Sequence, residues 1–387
     1  MPQLSQRAAH ISQSDIRTMS VECERVRGVN LAQGICDTPV PPEVRAAAER
    51  AIESGQNQYT RLDGVGALRQ AIAEKMRAFN GIEADPEREI VVTVGSTGAF
   101  YCASLSMLNP GDEVLLFEPY YGYHVHTVEA VGGVPRYITL RSPDWKFERE
   151  DLQRAISPRT RAIVVNTPAN PSGKVFTRTE LQWIAEVAQE HDLFVFTDEI
   201  YEYFVYDDAG HISIATLPGM GERTITISGY SKTFSITGWR IGYAVCSTCW
   251  AGAIGYYSDL AYICAPAPLQ HAVAAGIKVL PESFYAGLRR DYKRKRDLLC
   301  RALAEAGFTC GMPAGSYYLL ADASRLPGKN SKDRAMHLLE TAGVAAVPGG
   351  AFYHDKAGEN LLRFCYAKTD ADLEEACRRL QRVLVRS

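Results

Sequence analysis

The feature of this 387-residue sequence that most limits its possible folds is an alternation of short apolar runs with segments of helical spacing. Each run is bounded by Gly, Pro, Asn or Asp, and the runs occupy residues 90–94, 114–117, 162–165, 193–196 and 225–227. Segments of helical spacing, such as 181–188, lie between several of them. Buried strands that alternate with helices are typical of βαβ units, so the sequence predicts an α/β fold with a mainly parallel sheet.

The pattern changes near residue 281, and the length of the chain also favours more than one domain. A long charged helix at 282–306 is predicted there, followed by a strand at 317–320, a helix at 332–341, a strand at 361–366 and a helix at 370–385. We therefore predict three regions. Residues 1–45 form an N-terminal arm and part of a small domain, 46–281 form a large domain, and 282–387 complete the small α+β domain.

Composition and charge exclude several classes of protein. The net charge of −3 gives no general electrostatic attraction for nucleic acid or an anionic membrane, and no apolar run is long enough for a membrane helix. The basic run at 289–296 is interrupted by Asp291 and followed by Asp297, which favours a solvated helix face over a nucleic-acid contact. The N-terminus has no apolar signal core, and ten scattered cysteines are typical of reduced thiols, so a cytoplasmic location is expected.

No metal site is expected from the cysteine and histidine spacing. Cys246 and Cys249 form a CxxC pair, but neither a second pair nor two histidines follow at zinc-site spacing, so ordinary thiols near a strand end are predicted. His124 and His126 alternate as strand residues do, without a nearby carboxylate cluster in the sequence. A structural role or solvent contact is therefore favoured for both histidines over metal binding.

The segments that directly follow the predicted strands carry the candidate functional residues, because ligands bind at the carboxyl ends of strands in a parallel sheet. Gly95-Ser96-Thr97-Gly98 precedes a helix and could be a phosphate cradle or only a tight turn. Asn170 precedes a proline in a turn-rich loop and could present its amide to a site. Asp198 ends an apolar strand, where a carboxylate needs either a cation or a helix-capping role.

A lysine and an arginine complete this set. Lys232 lies among small residues after the strand at 225–227 and could react with a carbonyl group, although a lone lysine is more often solvated. Arg240 could add a second contact to a phosphate. Pyridoxal 5′-phosphate needs all of these groups: a phosphate cradle, a carboxylate for its pyridine nitrogen, polar side chains and a lysine for its aldehyde. Together they predict a pyridoxal-phosphate enzyme.

The sequence resembles the class I, fold-type I pyridoxal-phosphate aminotransferases over nearly its whole length, from Asn30 to the C-terminal helix. The segment from Gly229 through Lys232 to Arg240 and Gly242 matches the family's lysine signature, and 166–173 and 198–201 match in order and spacing. The nearest branches are the kynurenine, glutamine and methionine enzymes and the bacterial aspartate enzymes. The resemblance implies a mainly parallel seven-stranded sheet flanked by helices and a smaller α+β domain.

The resemblance also implies the role of each site residue. Lys232 binds the cofactor's aldehyde and carries the proton, Asp198 pairs with the pyridine nitrogen, and Asn170 and Tyr201 hydrogen-bond the phenolic oxygen. The other implied contacts are with the ring (Tyr121), with the phosphate (Ser96, Thr97 and Arg240, and Tyr59 from the neighbouring subunit of a homodimer) and with the substrate carboxylate (Gly34, Arg363, and Asn170 nearby). The substrates would be an L-amino acid and a 2-oxo acid, used in a ping-pong cycle.

Two departures from the family pattern affect these expectations. Gly229 stands where many relatives have a serine, so one phosphate contact is missing, and its replacement by Ser231 is left open. Ile35 stands where an aromatic residue is common. In bacterial aspartate relatives a lysine often replaces Thr97, which disfavours an acidic substrate. Tyr121, Tyr123, Tyr262 and Phe352 favour a large or apolar side chain.

Three alternative functions use the same fold. They are a cysteine-conjugate β-lyase, a bacterial-type aspartate aminotransferase, and a non-catalytic regulator that senses the cofactor. Such regulators carry a DNA-binding module ahead of the fold, and the family's motifs begin by Asn30 here, so the regulator is disfavoured.

Overall fold

The computed structural model describes residues 15–381 and 383. Its strands are β1 (Val29–Asn30), β2 (Ile90–Val94), β3 (Glu113–Glu118), β4 (Val134–Thr139), β5 (Thr160–Asn166), β6 (Phe194–Asp198), β7 (Thr224–Gly229), β8 (Ile241–Val245), β9 (Thr309–Cys310), β10 (Tyr318–Asp322), β11 (Val344–Ala345), β12 (Val347–Pro348) and β13 (Leu361–Cys365). Its α-helices are α1 (Asp15–Arg25), α2 (Pro42–Glu53), α3 (Gly66–Lys75), α4 (Gly95–Met107), α5 (Gly122–Ala130), α6 (Arg149–Ala155), α7 (Arg178–Glu190), α8 (Thr248–Tyr262), α9 (Ala267–Val279), α10 (Glu282–Glu305), α11 (Ser331–Ala342) and α12 (Asp370–Leu380).

The chain divides into two compact units. The large unit contains residues 35–293 and 314–316, and the small unit contains the described parts of 1–34, 294–313 and 317–387. The change from one unit to the other after Lys293 falls within α10. The domain boundaries predicted after residues 45 and 281 stay a prediction.

A 7-stranded sheet in the order β2-β8-β7-β6-β5-β3-β4 forms the centre of the large unit. Strands β3 to β7 are mutually parallel, and β8 runs antiparallel to both of its neighbours. The inner strands are almost entirely buried, as the continuous apolar runs predict. The prediction of a mainly parallel α/β sheet is therefore confirmed. Strand β4 escaped the sequence analysis because this edge strand is mostly exposed and contains Pro135.

Two helices of the large unit differ from the sequence expectation. Helix α4 begins at Gly95, so the Gly-Ser-Thr-Gly segment forms its first turn instead of preceding it. His124 and His126 lie on α5, so the strand-like interpretation of their spacing is wrong. Two histidines two residues apart fit the period of a strand, but so short a segment also fits a helix. The spacing alone therefore does not distinguish the two. His124 is buried, whereas the side chain of His126 is 68% exposed.

The small unit contains a 4-stranded sheet in the order β12-β13-β10-β9 and a separate parallel pair of β1 with β11. Helix α12 ends at Leu380, so the helix predicted to reach residue 385 is too long, and 382, 384 and 385 lie outside the described residues. The basic run on α10 is only partly solvated, because Lys295 and Arg296 are buried. Among the helices described, none is long and apolar enough to cross a membrane.

Candidate active site

The sheet of the large unit places the ends of four strands along one edge. Asn166 at the end of β5 pairs with Asp198 at the end of β6, and Asp198 pairs with Ile227 near the end of β7. Strand β2 has the same direction as β7 because β8 lies antiparallel between them. The residues that follow β2, β5, β6 and β7 therefore emerge at the same edge, where ligands bind in open parallel sheets.

The start of α4 and Arg240 form a candidate anion-binding site. A Cβ atom on Gly95 would lie 2.5 Å from Nη2 of Arg240, so the guanidinium lies directly against the first turn of the helix. A Cβ on Gly242 would lie 2.3 Å from the backbone nitrogen of Ser96, so this glycine also allows a close backbone approach. The first-turn N–H groups of a helix, here including Ser96 and Thr97, lack intrahelical acceptors and lie at the positive end of its dipole. This arrangement fits a phosphate group.

Asp198 is held at the carboxyl end of β6 by two donors. Nε2 of His124 lies 3.0 Å from Oδ2 of Asp198, and the Ile200 N–H donates to Oδ1 at 3.2 Å. The side chains of His124 and Asp198 are 4% and 8% exposed. An ionised carboxylate can only accept, so Nε2 of His124 donates in this bond. The sequence predicted only a structural role or solvent contact for His124. The hydrogen bond to Asp198 was not predicted, because the two residues are far apart in the sequence.

Asn170, Tyr201, Tyr121 and Lys232 surround the same edge of the sheet. The backbone N–H of Asn170 donates to Oδ1 of Asn166 at 2.8 Å, which fixes the loop after β5, and Asn170 and Tyr201 are both buried. The Tyr121 ring lies 5.3 Å from the His124 ring in an edge-on arrangement. Lys232 is half-buried in the turn after β7. These four residues thus follow strands β3, β5, β6 and β7, which are neighbours in the sheet of the large unit.

Gly229 has no room for the serine that many relatives carry at this position. A Cβ atom there would lie 2.9 Å from the carbonyl oxygen of Ile241 and 3.0 Å from Cα of Gly242. A larger residue at 229 would therefore push β7 and β8 apart where Gly229 faces Gly242. Ser231 is buried in the following turn.

Gly34 and Arg363 lie in the small unit and share a neighbour, Tyr318. The Arg363 guanidinium is 4.4 Å from the centre of the Tyr318 ring, and its Nη2 donates to the carbonyl oxygen of Ala32 at 2.6 Å. A Cβ on Gly34 would lie 1.7 Å from the Tyr318 hydroxyl, so only glycine fits there. Arg363 is 0% exposed, so it is not a surface residue of the small unit. Tyr59, in the large unit, is 79% exposed.

The donors and acceptors of the large unit fit pyridoxal 5′-phosphate. The first turn of α4 and Arg240 offer N–H groups to a phosphate, and Asp198 offers a buried carboxylate to a positively charged ring nitrogen. Lys232 would supply the amine that such a cofactor requires, and Asn170 and Tyr201 would supply polar groups.

The comparisons with known proteins agree with this chemistry. The family model described as "Aminotransferase class I and II" matches residues 26–380. The chain belongs to this family. It is therefore a pyridoxal-phosphate-dependent aminotransferase, which confirms the predicted family, activity and cofactor.

Individual relatives of this aminotransferase carry different substrate names. A probable N-succinyldiaminopimelate aminotransferase from Mycobacterium tuberculosis is 41% identical over 376 residues, 94% of each chain. An aspartate aminotransferase from Pyrococcus abyssi is 36% identical over 98% of each chain. The solved structure of the Mycobacterium tuberculosis N-succinyldiaminopimelate aminotransferase has a TM-score of 0.94 at 38% identity, covering 98% of this chain and 99% of that one. The predicted fold is confirmed, whereas the substrate differs among the relatives.

Proposed function

We propose that this aminotransferase moves an amino group from an L-amino acid to a 2-oxo acid in two half-reactions at the site that contains Lys232. The observation that carries the proposal is the convergence of Arg240 with the first turn of α4, the His124–Asp198 pair and the Lys232 turn at one edge of the sheet. In a ping-pong cycle the first substrate leaves as its 2-oxo acid, and the amino group stays on the enzyme until a second 2-oxo acid accepts it.

The cofactor supplies an aldehyde that condenses with amines and a ring that withdraws electrons from the substrate's Cα. The chain's residues then have separate tasks. Lys232 would take the proton from the substrate's Cα as general base and pass it to C4′ of the cofactor, and the second half-reaction would reverse this transfer. Asp198, fixed by His124, favours a proton on the ring nitrogen. Asn170 and Tyr201 would hydrogen-bond the cofactor's phenolic oxygen, and Tyr121 would lie against its ring.

We propose a homodimer in which Tyr59 binds the phosphate in the neighbouring subunit. The supporting observation is the 79% exposure of Tyr59 in the single chain, which leaves its phenol available to a second chain. A buried interface would remove the cost of exposing so large an aromatic ring. The ten free cysteines support a reducing compartment, and we propose the cytoplasm.

Arg363 and Gly34 are the proposed contacts of the substrate's α-carboxylate. Burial of the guanidinium between the rings of Tyr318 and Phe352, at 4.4 and 5.1 Å from their centres, holds its fork in one orientation. The neutral Thr97 in the first turn of α4 supports a donor with a long or apolar side chain over aspartate. The similarity to an N-succinyldiaminopimelate enzyme adds a long acylated amino acid to the candidates.

Single half-reactions test the proposed function directly. The holoenzyme is mixed with one amino acid at a time, and the loss of the visible absorbance of the Lys232-bound cofactor gives a rate for each donor. The panel contains N-succinyl-diaminopimelate, kynurenine, an aromatic amino acid, methionine and aspartate. We expect the long or aromatic donors to react at least tenfold faster than aspartate. Aspartate as the fastest donor would refute the substrate assignment, and no reaction with any donor would refute transamination at this site.

A further inference from the structure

A network of buried charged side chains lies beside the proposed cofactor residues. Glu199 follows Asp198 directly, and Glu202 follows Tyr201 directly. The side chains of Glu199 and Glu202 are 0% and 2% exposed. Two buried carboxylates so close together are costly unless each has a cation and hydrogen-bond donors. The partners of these two residues therefore show how the segment is stabilised.

Glu199 is bound by donors from three segments of the large unit. His211 Nε2 lies 2.9 Å from its Oε2, and the Ser213 hydroxyl donates to its Oε1 at 2.7 Å. The Thr197 hydroxyl adds a third bond at 3.0 Å. Asn80 approaches Oε2 of Glu199 at 3.3 Å and also donates to Glu202 at 2.8 Å. The carboxylate of Glu199 is thus fixed from several directions.

Glu202 is bound by a lysine and a serine. The Lys75 ammonium lies 2.5 Å from Oε1 of Glu202, and the side chains of both residues are almost fully buried. The Ser228 hydroxyl donates to the same oxygen at 2.9 Å. Lys75 also donates to the Tyr243 hydroxyl at 3.2 Å. These contacts connect α3 with the turn after β6 and with strands β7 and β8.

The charges of the network balance only when His211 carries a proton. Glu199 and Glu202 contribute two negative charges, and Lys75 contributes one positive charge. Burial alone would lower the pKa of His211, but the charges of Glu199 and Glu202 outweigh burial and the repulsion from Lys75, and they raise it. The Phe79 ring, parallel to His211 at 6.4 Å, adds no charge.

We propose that the network of Glu199, Glu202, Lys75 and His211 positions Asp198 and Tyr201 toward the cofactor, an inference that rests on the proposed function. The backbone shows how this would act. The Glu199 N–H donates to the Ile227 carbonyl oxygen at 2.8 Å, and the Glu202 N–H donates to the Glu199 carbonyl oxygen at 2.9 Å. A shift of either anchored carboxylate would therefore move its neighbour, Asp198 or Tyr201.

The same network reaches the strand that precedes Lys232. The Ser228 hydroxyl contacts Oε1 of Glu202 at 2.9 Å and the carbonyl oxygen of Glu199 at 3.3 Å. Strand β7, which contains Ser228, ends at Gly229, and the Lys232 turn follows. None of the four charged residues has a proposed contact with cofactor or substrate, so they are positioning residues and not catalytic ones.

The first test replaces His211 with glutamine, which can still donate to Glu199 but carries no charge. The matched control is His191→Gln, a substitution at a partly exposed histidine at the end of α7. Cofactor affinity is measured by titrating each apoprotein with pyridoxal phosphate. The pH midpoint of the visible absorbance of the bound cofactor gives a second readout, because under the proposed function it depends on the hydrogen bond that Asp198 accepts from the ring nitrogen and on the one that Tyr201 donates to the phenolic oxygen.

We expect His211→Gln to weaken cofactor binding by about tenfold, because a charged donor to Glu199 becomes a weaker neutral one, and to move the absorbance midpoint. The control should match the unaltered protein in both measurements. A role confined to folding would lower the thermal midpoint of the apoprotein and leave the affinity and absorbance midpoint of the folded holoprotein unchanged. That result would overturn the proposal. If His211→Gln does not fold, Ser213→Ala, which removes a neutral donor, is measured in its place with the same criteria.

A double-mutant cycle on Lys75 and Glu202 gives an independent test. Lys75→Met and Glu202→Gln each leave the other residue's charge buried and unpaired, whereas the double variant removes both charges. We expect each single variant to lose more than tenfold in cofactor affinity and the double variant to lose less than the product of the two. Independent, multiplicative losses would contradict the network. Retained activity in Lys232→Ala would instead refute the proposed function, so the two failures are distinguishable.

Discussion

Replacement of His124 by phenylalanine isolates the contribution of its hydrogen bond to Asp198. The imidazole lies 3.0 Å from Oδ2 of Asp198, and its ring packs 4.7 Å from Phe100 and 5.3 Å from Tyr121, measured between ring centres. Phenylalanine would keep the ring contacts and remove only the donor. Asp198 would retain the Ile200 N–H at 3.2 Å. Its carboxylate would then be less firmly oriented toward the ring nitrogen of the cofactor.

The size of the effect follows from the burial of this pair. Side-chain exposures of 4% and 8% leave little room for water to replace the lost donor. A hydrogen bond to a charged group contributes about 1.5–3 kcal/mol, and a tenfold change in an equilibrium constant corresponds to about 1.4 kcal/mol. We therefore expect His124→Phe to raise the dissociation constant of pyridoxal phosphate by roughly ten- to a hundredfold. The rate of Cα deprotonation should also fall, because a mispositioned Asp198 stabilises the protonated ring less well.

The assay is a titration of the apoprotein with pyridoxal phosphate, followed by single-turnover measurements with one good amino donor. His126→Phe is the matched control, since His126 lies on the same helix but its side chain is 68% exposed. The control should bind the cofactor like the unaltered protein. If His124→Phe binds the cofactor as tightly as the control and reacts at the same rate, the hydrogen bond is structural only and the argument is wrong.

Three further predictions concern the other site residues. Lys232→Ala should fold but lose the visible absorbance band of lysine-bound cofactor, with transamination reduced by many orders of magnitude; an active variant would refute the assignment. A heterodimer of one Lys232→Ala chain and one Tyr59→Phe chain tests whether Tyr59 acts in trans. If it does, the intact Lys232 receives an unaltered Tyr59 from the other chain, and one site should keep near-normal cofactor affinity and turnover. If the heterodimer behaves like the Tyr59→Phe homodimer, Tyr59 acts within its own chain. Arg363→Lys should lower kcat/KM for aromatic, aliphatic and acidic donors by a similar factor, on the order of a hundredfold, because lysine cannot bind both carboxylate oxygens as a guanidinium does. A loss limited to acidic donors would mean that Arg363 binds the substrate's side chain instead.

The sequence predicted the parts of the fold that have a strong local signal. The inner strands of the large sheet are continuous apolar runs, and the residues that follow them were identified because parallel strands end at a common edge. The first turn of α4 was placed outside its helix because Gly95 and the small residues after it have little helical propensity. Arg240 supplies the tertiary contact at this turn, and a sequence pattern does not contain that information.

The partners of the site residues could not be predicted either, because they are also set by tertiary contacts. His124 and Asp198 are 74 residues apart in the chain, and Asn80 lies 119 residues from Glu199. No local pattern encodes such pairs, because their proximity depends on how helices pack on the finished sheet. A partial signal exists in the segment Asp-Glu-Ile-Tyr-Glu at 198–202, where two additional carboxylates accompany a buried strand end. Buried acids at such a position require cations from elsewhere, so this segment by itself predicts buried, positively charged partners from other parts of the chain.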